Sequence, residues 1–251
     1  MNIDPVAFTL GPFTVYWYGI LISFAIMLGA FFALKEAENK GLNPDHFLNT
    51  IIVSLPAAFI GARAYYVIFN WDYYSKFPAE IPATWHGGLA IHGGLIGAFF
   101  AGYLMLRKYR IDFWRGADIV APSIVLGQAI GRWGNYFNEE AYGYAVDPQK
   151  VPWAMYIDGA YRHPAFLYES LWDFAVFFFL LWFRRRDHIK SGDIFLSYAV
   201  LYSAGRFVIE GLRTDSLMLA PGLRAAQVVS AVVIIAAVIL FYYRHRGTSF
   251  T

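Results

Sequence analysis

Seven stretches of about 20 mostly apolar residues run through the chain, at roughly 13–34, 47–70, 87–106, 115–137, 165–183, 193–212 and 225–243. Nothing else in the sequence constrains the fold as tightly. In lipid every backbone N–H and C=O has to be satisfied within the spanning segment, so an apolar run of that length is read as a transmembrane helix. The charge content agrees: 15% of the residues are charged and 58% hydrophobic, where a water-soluble domain carries about a quarter charged residues. The expected fold class is therefore all-α, a polytopic membrane protein with about seven transmembrane helices, residues 1–251 forming a single transmembrane domain. The first segment is not read as a cleavable signal peptide, because it is long, has no basic region before it and lacks a small-residue cleavage site after it.

Lysine and arginine set the expected orientation. Lys35, Lys40, Arg107, Lys108, Arg110, Arg115, Arg184, Arg185, Arg186, Lys190, Arg244 and Arg246 follow segments one, three, five and seven. The opposite connections hold only Lys76, Lys150, Arg162, Arg213 and Arg224. The positive-inside rule then puts the N-terminus outside and the C-terminus in the cytoplasm. The longer outer connections are 71–86 and 138–164. The second is rich in Gly, Pro, Tyr and Asp and is expected to form a small extracytoplasmic cap of turns and short strands. Cysteine is absent, which excludes disulfides and any thiol nucleophile supplied by the chain itself. A net charge of +2 gives no reason to expect a nucleic-acid partner.

Three arginines, Arg63, Arg132 and Arg206, fall inside the apolar segments, where each costs roughly 2.5–3.5 kcal/mol. At about 1.5 Å per residue they lie about 24, 25 and 20 Å from the cytoplasmic ends of their segments. His92, Tyr18 and Glu169 are placed at similar depth, so polar groups from six helices are expected in the outer half of the bundle. Within GRFVIEGLR (205–213), Arg206, Glu210 and Arg213 are spaced i, i+4, i+7 and would share one helix face. Within GRWGNYFNEE (131–140), Arg132, Asn135 and Glu139 would form a stripe, with Glu140 following and Asn138 off it. The bland reading of Asn135 and Asn138 is capping of the helix end. Arg63, Arg132, Arg206 and Arg213 outnumber Glu169 and Glu210, even with Glu140 added, and guanidinium groups with spare donors favour bidentate contact with phosphate. An anionic membrane lipid of the outer leaflet is the ligand that chemistry suggests.

WHGGLAIHGGLIG (85–97) carries two histidines, each before a glycine pair. Six residues apart, His86 and His92 would diverge by about 120° on a helix, so they make no i, i+4 metal pair and no metal or other cofactor is expected. His86 reads as an interfacial residue. His92 is expected deeper, among Gly93, Gly94 and Gly97, where close helix approach is possible. Burial there favours a neutral, basic imidazole.

HGGLIG (92–97), GRWGNYFNEEAYG (131–143), RHPAFLYE (162–169), GRFVIEGLR (205–213) and the opening GPFTVYWYG (11–19) together resemble the bacterial phosphatidylglycerol–prolipoprotein diacylglyceryl transferases, over most of the chain. The resemblance implies a seven-helix inner-membrane enzyme. It would move the diacylglyceryl group of phosphatidylglycerol onto the lipobox cysteine of a prelipoprotein signal peptide, making a thioether and releasing glycerol phosphate. It also implies that His92, Arg132 and Arg206 are catalytic, and that Tyr18, Asn135, Asn138, Glu140, Gly143, Glu210 and Arg213 bind substrate. Arg63 is grouped with the headgroup-binding residues, with support of Glu169 as its alternative part. A lipid flippase would show repeated halves or half-helices around a mid-membrane site. A membrane O-acyltransferase gives no reason for so many arginines.

Overall fold

A computed structural model describes residues 4–157 and 159–246 of the chain. In order, it forms β1 (Val6–Leu10), β2 (Phe13–Tyr16), α1 (Trp17–Asn39), α2 (Pro44–Phe69), the short α3 (Trp71–Tyr74), α4 (Ile91–Lys108), α5 (Phe113–Phe137), β3 (Met155–Ile157), β4 (Ala160–Arg162), α6 (Ala165–Phe183), α7 (Asp193–Glu210), β5 (Met218–Ala220), β6 (Leu223–Arg224) and α8 (Ala225–His245). Among the described residues the strands pair as three antiparallel hairpins, β1–β2, β3–β4 and β5–β6. The fold is mostly helical, and the seven helices longer than one turn fall on the seven apolar segments. Four of them, α1, α2, α6 and α8, are long and apolar enough to cross a membrane by length and composition.

The chain divides into two compact units. One joins the residues up to Phe32 with those from Ala117 onward, and the other is Ala33–Gly116.

In the Ala33–Gly116 unit, α2 opens on an Asn43 cap whose side chain accepts from Asp45 N–H at 2.8 Å, with Pro44 in the first turn; both are favourable helix starts. α2 and α4 then meet backbone to backbone. A Cβ on Gly61 would lie 3.1 Å from the Gly97 Cα, one on Gly93 would run into the Gly61 carbonyl, and one on Gly97 would run into the Ala57 carbonyl. The obstacles are backbone atoms and, at Gly93, the Tyr65 Cβ, none of them the far end of a flexible side chain, so the small residues are what permits this approach. Gly93→Val is expected to destabilise the protein by about 1–3 kcal/mol through overpacking, read as a lowered unfolding midpoint in detergent.

α4 starts at Ile91 and not at 87, as the apolar run had suggested. Gly87 and Gly88 have φ of +84° and +80°, outside the helical region, and a Cβ on Gly88 would be 2.6 Å from Arg63 Nη1. His86 ends a separate 3₁₀ turn, Thr84–His86, so the two histidines share no helix. α1 likewise starts four residues later than the apolar run, because 13–16 is strand β2, paired back on β1.

In the other unit, Ala25, Val125, Leu126, Ile130, Val176, Phe177 and Leu180 form a buried core among α1, α5 and α6. Asp118 of α5 accepts from the N–H groups of Gly192 (2.6 Å) and Phe195 (2.9 Å), satisfying donors that the first turn of α7 leaves open. Ser170 of α6 donates to the Ala129 carbonyl at 2.8 Å and accepts from Trp133 Nε1. These ties fix the helices that carry the charged groups. The 138–164 connection holds the β3–β4 hairpin and the bridges Gly143–Arg213 and Ala145–Arg162, consistent with short strands over a long helix.

Candidate active site

Three helices bring their charged side chains to one point. Glu169 of α6, 3% exposed, is the hub. Its Oε2 lies 2.5 Å from Arg132 Nε of α5, and its Oε1 takes Arg206 Nη1 of α7. Arg206 Nη2 is 2.7 Å from Oε2 of Glu210, itself 2% exposed. Arg213 completes the group at 3.9 Å from both glutamates. The structure brings Arg132, Arg206, Glu210 and Arg213 together, with Glu169 between them.

Counting N–H groups separates the arginines by task. A guanidinium has five. Arg132 engages Glu169 through Nε and the Tyr202 hydroxyl through Nη2 at 3.4 Å. Its Nη1 has no partner among the described residues, and neither has Nε of Arg206. Both side chains are 19% exposed. They are held by carboxylates yet keep donors to offer. Arg63, in the Ala33–Gly116 unit, is different. Nε donates to Ile81 O, Nη1 to Gly87 O and Gly88 O, and Nη2 to Glu80 O and Ala83 O. All five N–H groups are spent on the 80–88 loop, and the Tyr74 ring lies 5.1 Å from its Cζ. Arg63 ties down the segment from which α4 begins.

Arg213 does not share a helix face with Arg206, because α7 ends at Glu210 and Gly211 is the cap. It lies instead in the bridge with Gly143 and holds Asp215 through two hydrogen bonds, 2.9 and 2.8 Å. Asp215 was not foreseen, and it removes the expected positive surplus: Arg132, Arg206 and Arg213 face Glu169, Glu210 and Asp215. Partial burial works to raise the Asp215 pKa, but the hydrogen bonds and charge of Arg213 outweigh it and hold the carboxyl below its ordinary range. A depressed carboxylate pKa means stability present above the usual carboxylate pKa and lost as pH falls through the lowered value. Asp215→Asn is thus expected to lower stability near pH 7 by up to about 1 kcal/mol, the Asp215 side chain being 41% exposed. The gap to wild type should close as a stability titration goes below the usual carboxylate range.

Around this core, Asn135 and Asn138 both donate to Glu140 Oε1, at 2.8 and 3.2 Å. The expected stripe through Glu139 fails because α5 stops at Phe137, after which Glu139 and Ala141 take φ of +50° and +58°. Glu140, on the turn, gathers the two amides. Gly143 is buried, and a Cβ on it would be 2.8 Å from His163 Cβ and 3.0 Å from Leu212 O. Tyr18, in the first turn of α1, lies with its ring over Gly134, leaving no room there for a Cβ. Arg224 donates to the Glu210 carbonyl and to the Tyr144 hydroxyl, a contact sequence spacing did not suggest.

His92 stands in the first turn of α4, within the Ala33–Gly116 unit. It is exposed on the protein surface, since the helix begins only one residue earlier. Its ring lies 6.0 Å from that of Tyr65, and its side chain makes no hydrogen bond among the described residues. Both ring nitrogens remain available.

Membrane-length apolar helices carrying a buried guanidinium–carboxylate cluster define a helical membrane protein whose arginines are held in place with N–H donors to spare. The prolipoprotein diacylglyceryl transferase family model matches residues 5–243, and the chain belongs to that family. It is 52% identical over 251 residues to the phosphatidylglycerol–prolipoprotein diacylglyceryl transferase of Geobacillus kaustophilus, covering 96% of this chain and 93% of the relative. Identity to the enzyme of the same name from Bacillus velezensis is 52%, over 96% and 92% of the two chains. For that of Bacillus licheniformis it is 51%, over 96% and 93%.

Proposed function

We propose that this chain transfers the diacylglyceryl group of phosphatidylglycerol to the thiol of the lipobox cysteine in a prelipoprotein signal peptide. The observation that carries the reading is the pair Arg132 and Arg206, fixed on Glu169 with N–H groups still free. In this reading all seven long helices span the inner membrane as one domain, N-terminus outside and C-terminus cytoplasmic, with 138–164 as an extracytoplasmic cap. The bias of Lys and Arg toward one set of connections supports that orientation.

The chemistry follows from charge. A peptide thiol with pKa near 8.5 is only a few per cent thiolate at pH 7. Its sulfur attacks the glyceryl carbon bearing the phosphate, a C–S bond forms, the C–O bond breaks and its electron pair leaves on the phosphate. That group departs readily only if its growing charge meets fixed donors in a water-poor site. Arg132 and Arg206 supply them, and Glu169 and Glu210 hold them in place. Arg213, Asn135, Asn138, Glu140, Gly143 and Tyr18 line the substrate site, and Arg63 acts through the loop it ties. His92 either deprotonates the thiol or orients it. Comparing His92→Gln with His92→Ala across pH separates these: as base, either change should cost about 10²–10⁴-fold at neutral pH, with recovery as pH rises. As an orienting group, Gln should keep most of the rate and Ala should not.

Purified protein with glycerol-backbone-labelled phosphatidylglycerol and a lipobox peptide tests the whole. Label on the peptide through an alkali-stable bond is expected. A base-labile bond would mean acyl transfer, and no label would end the proposal.

A further inference from the structure

One helical turn from the arginine cluster, toward the middle of α6 and α7, lies a second polar layer. Asp173 follows Glu169 by four residues on α6, and Tyr202 precedes Arg206 by four on α7, each about 6 Å along its helix. Asp173 is 2% exposed, and its Oδ2 has no hydrogen-bond partner. It lines a narrow crevice with Arg132, Glu169, Tyr202, Gly205 and Arg206. Oε2 of Glu169 and Oε2 of Glu210 also make no hydrogen bond, but each has a guanidinium nitrogen in ion-pair contact, at 2.5 and 2.7 Å. A buried acceptor without a donor is costly and calls for an explanation, and a visiting donor is the simplest one.

We propose that Asp173 accepts the proton of the incoming lipobox thiol. The inference rests on the transferase reading above. Displacement at the glyceryl carbon is in line, so sulfur approaches from the side opposite the departing oxygen. With the phosphate on Arg132 and Arg206, that side is the acyl side, one layer deeper, where Asp173 stands. An uncharged S–H group can enter this buried layer and supply the missing donor. The proton passes from sulfur to Oδ2 as the C–S bond forms. The C–O electron pair leaves with the phosphate, and Asp173 then returns the proton to the released glycerol phosphate monoester, which carries it away. The charged and titratable groups facing Asp173 are Arg132 of α5, Glu169 of its own helix, and Tyr202 and Arg206 of α7, with Tyr198 further along α7.

The test compares lipobox peptides carrying cysteine or selenocysteine, whose selenol is already ionised at neutral pH. With cysteine, Asp173→Asn should lose about 10²–10⁴-fold in kcat, and with selenocysteine it should come within about tenfold of wild type. KM for phosphatidylglycerol should stay unchanged, and the variant's rate on cysteine should climb with pH toward the thiol range. Asp173→Ser, smaller and still polar, should show the same split if Asn disturbs packing. Equal losses on both peptides, or full activity of Asp173→Asn on cysteine, would overturn the assignment. So would selenocysteine rescue of His92→Gln in place of Asp173→Asn. Failure of the wild-type protein to label either peptide would count instead against the transferase reading.

Discussion

Arg132→Gln is expected to cut kcat by at least about 10²–10³-fold, the loss typical of removing one donor from a site of developing negative charge. Arg206→Gln should behave alike, since both guanidiniums hang on the same Glu169 and keep N–H groups to spare. Arg132→Lys should rescue little. An ammonium keeps the charge but cannot bind Glu169 through one nitrogen and offer a planar pair of N–H groups to a phosphate. Steady-state transfer to a lipobox peptide is the measurement, and the loss belongs in kcat more than in KM because the charge grows toward the transition state. Arg63→Lys should instead act by freeing the 80–88 loop, seen as faster proteolysis there.

The largest effect on stability is expected at Glu169. Its carboxylate is 3% exposed and contacts two guanidiniums at close range with a third at 3.9 Å. Glu169→Leu removes the carboxylate that contacts both Arg132 and Arg206. Removing one partner of a buried ionic group costs about 3–5 kcal/mol, enough to unfold many domains outright. A sharp drop in the thermal midpoint in detergent is the expected result. Adding Arg206→Leu should return part of the loss, because the two substitutions share one interaction and are not additive. Strict additivity would mean that the pair does not interact.

The seven long helices were legible because an apolar run of bilayer length has few alternatives, and the meeting of Arg132, Arg206, Glu210 and Arg213 because charges in such runs must find one another. Helix ends were less so. The apolar run does not stop where α4 starts, and only the backbone of Gly87 and Gly88 does. The i, i+7 spacing of Arg206 and Arg213 assumed a helix that ends at Glu210, so the Arg213–Asp215 pair was missed. Arg63 could not be told from Arg132 by depth or composition, since what distinguishes it is five carbonyls from a loop 17 to 25 residues away. Asp173 is masked by its apolar neighbours Leu171, Trp172 and Phe174. Its i, i+4 relation to Glu169 was the one signal available.

The central claim is that a lipid phosphate rests on the free N–H groups of Arg132 and Arg206. Magnetic dephasing between the phosphorus of bound phosphatidylglycerol and arginine Cζ, assigned by single Arg→Lys substitutions, measures that contact. Separations of about 4 Å, those of a guanidinium–phosphate pair, are expected at Arg132 and Arg206, with none at Arg63. Phosphorus that dephases Arg63 alone, or no arginine at all, would contradict it.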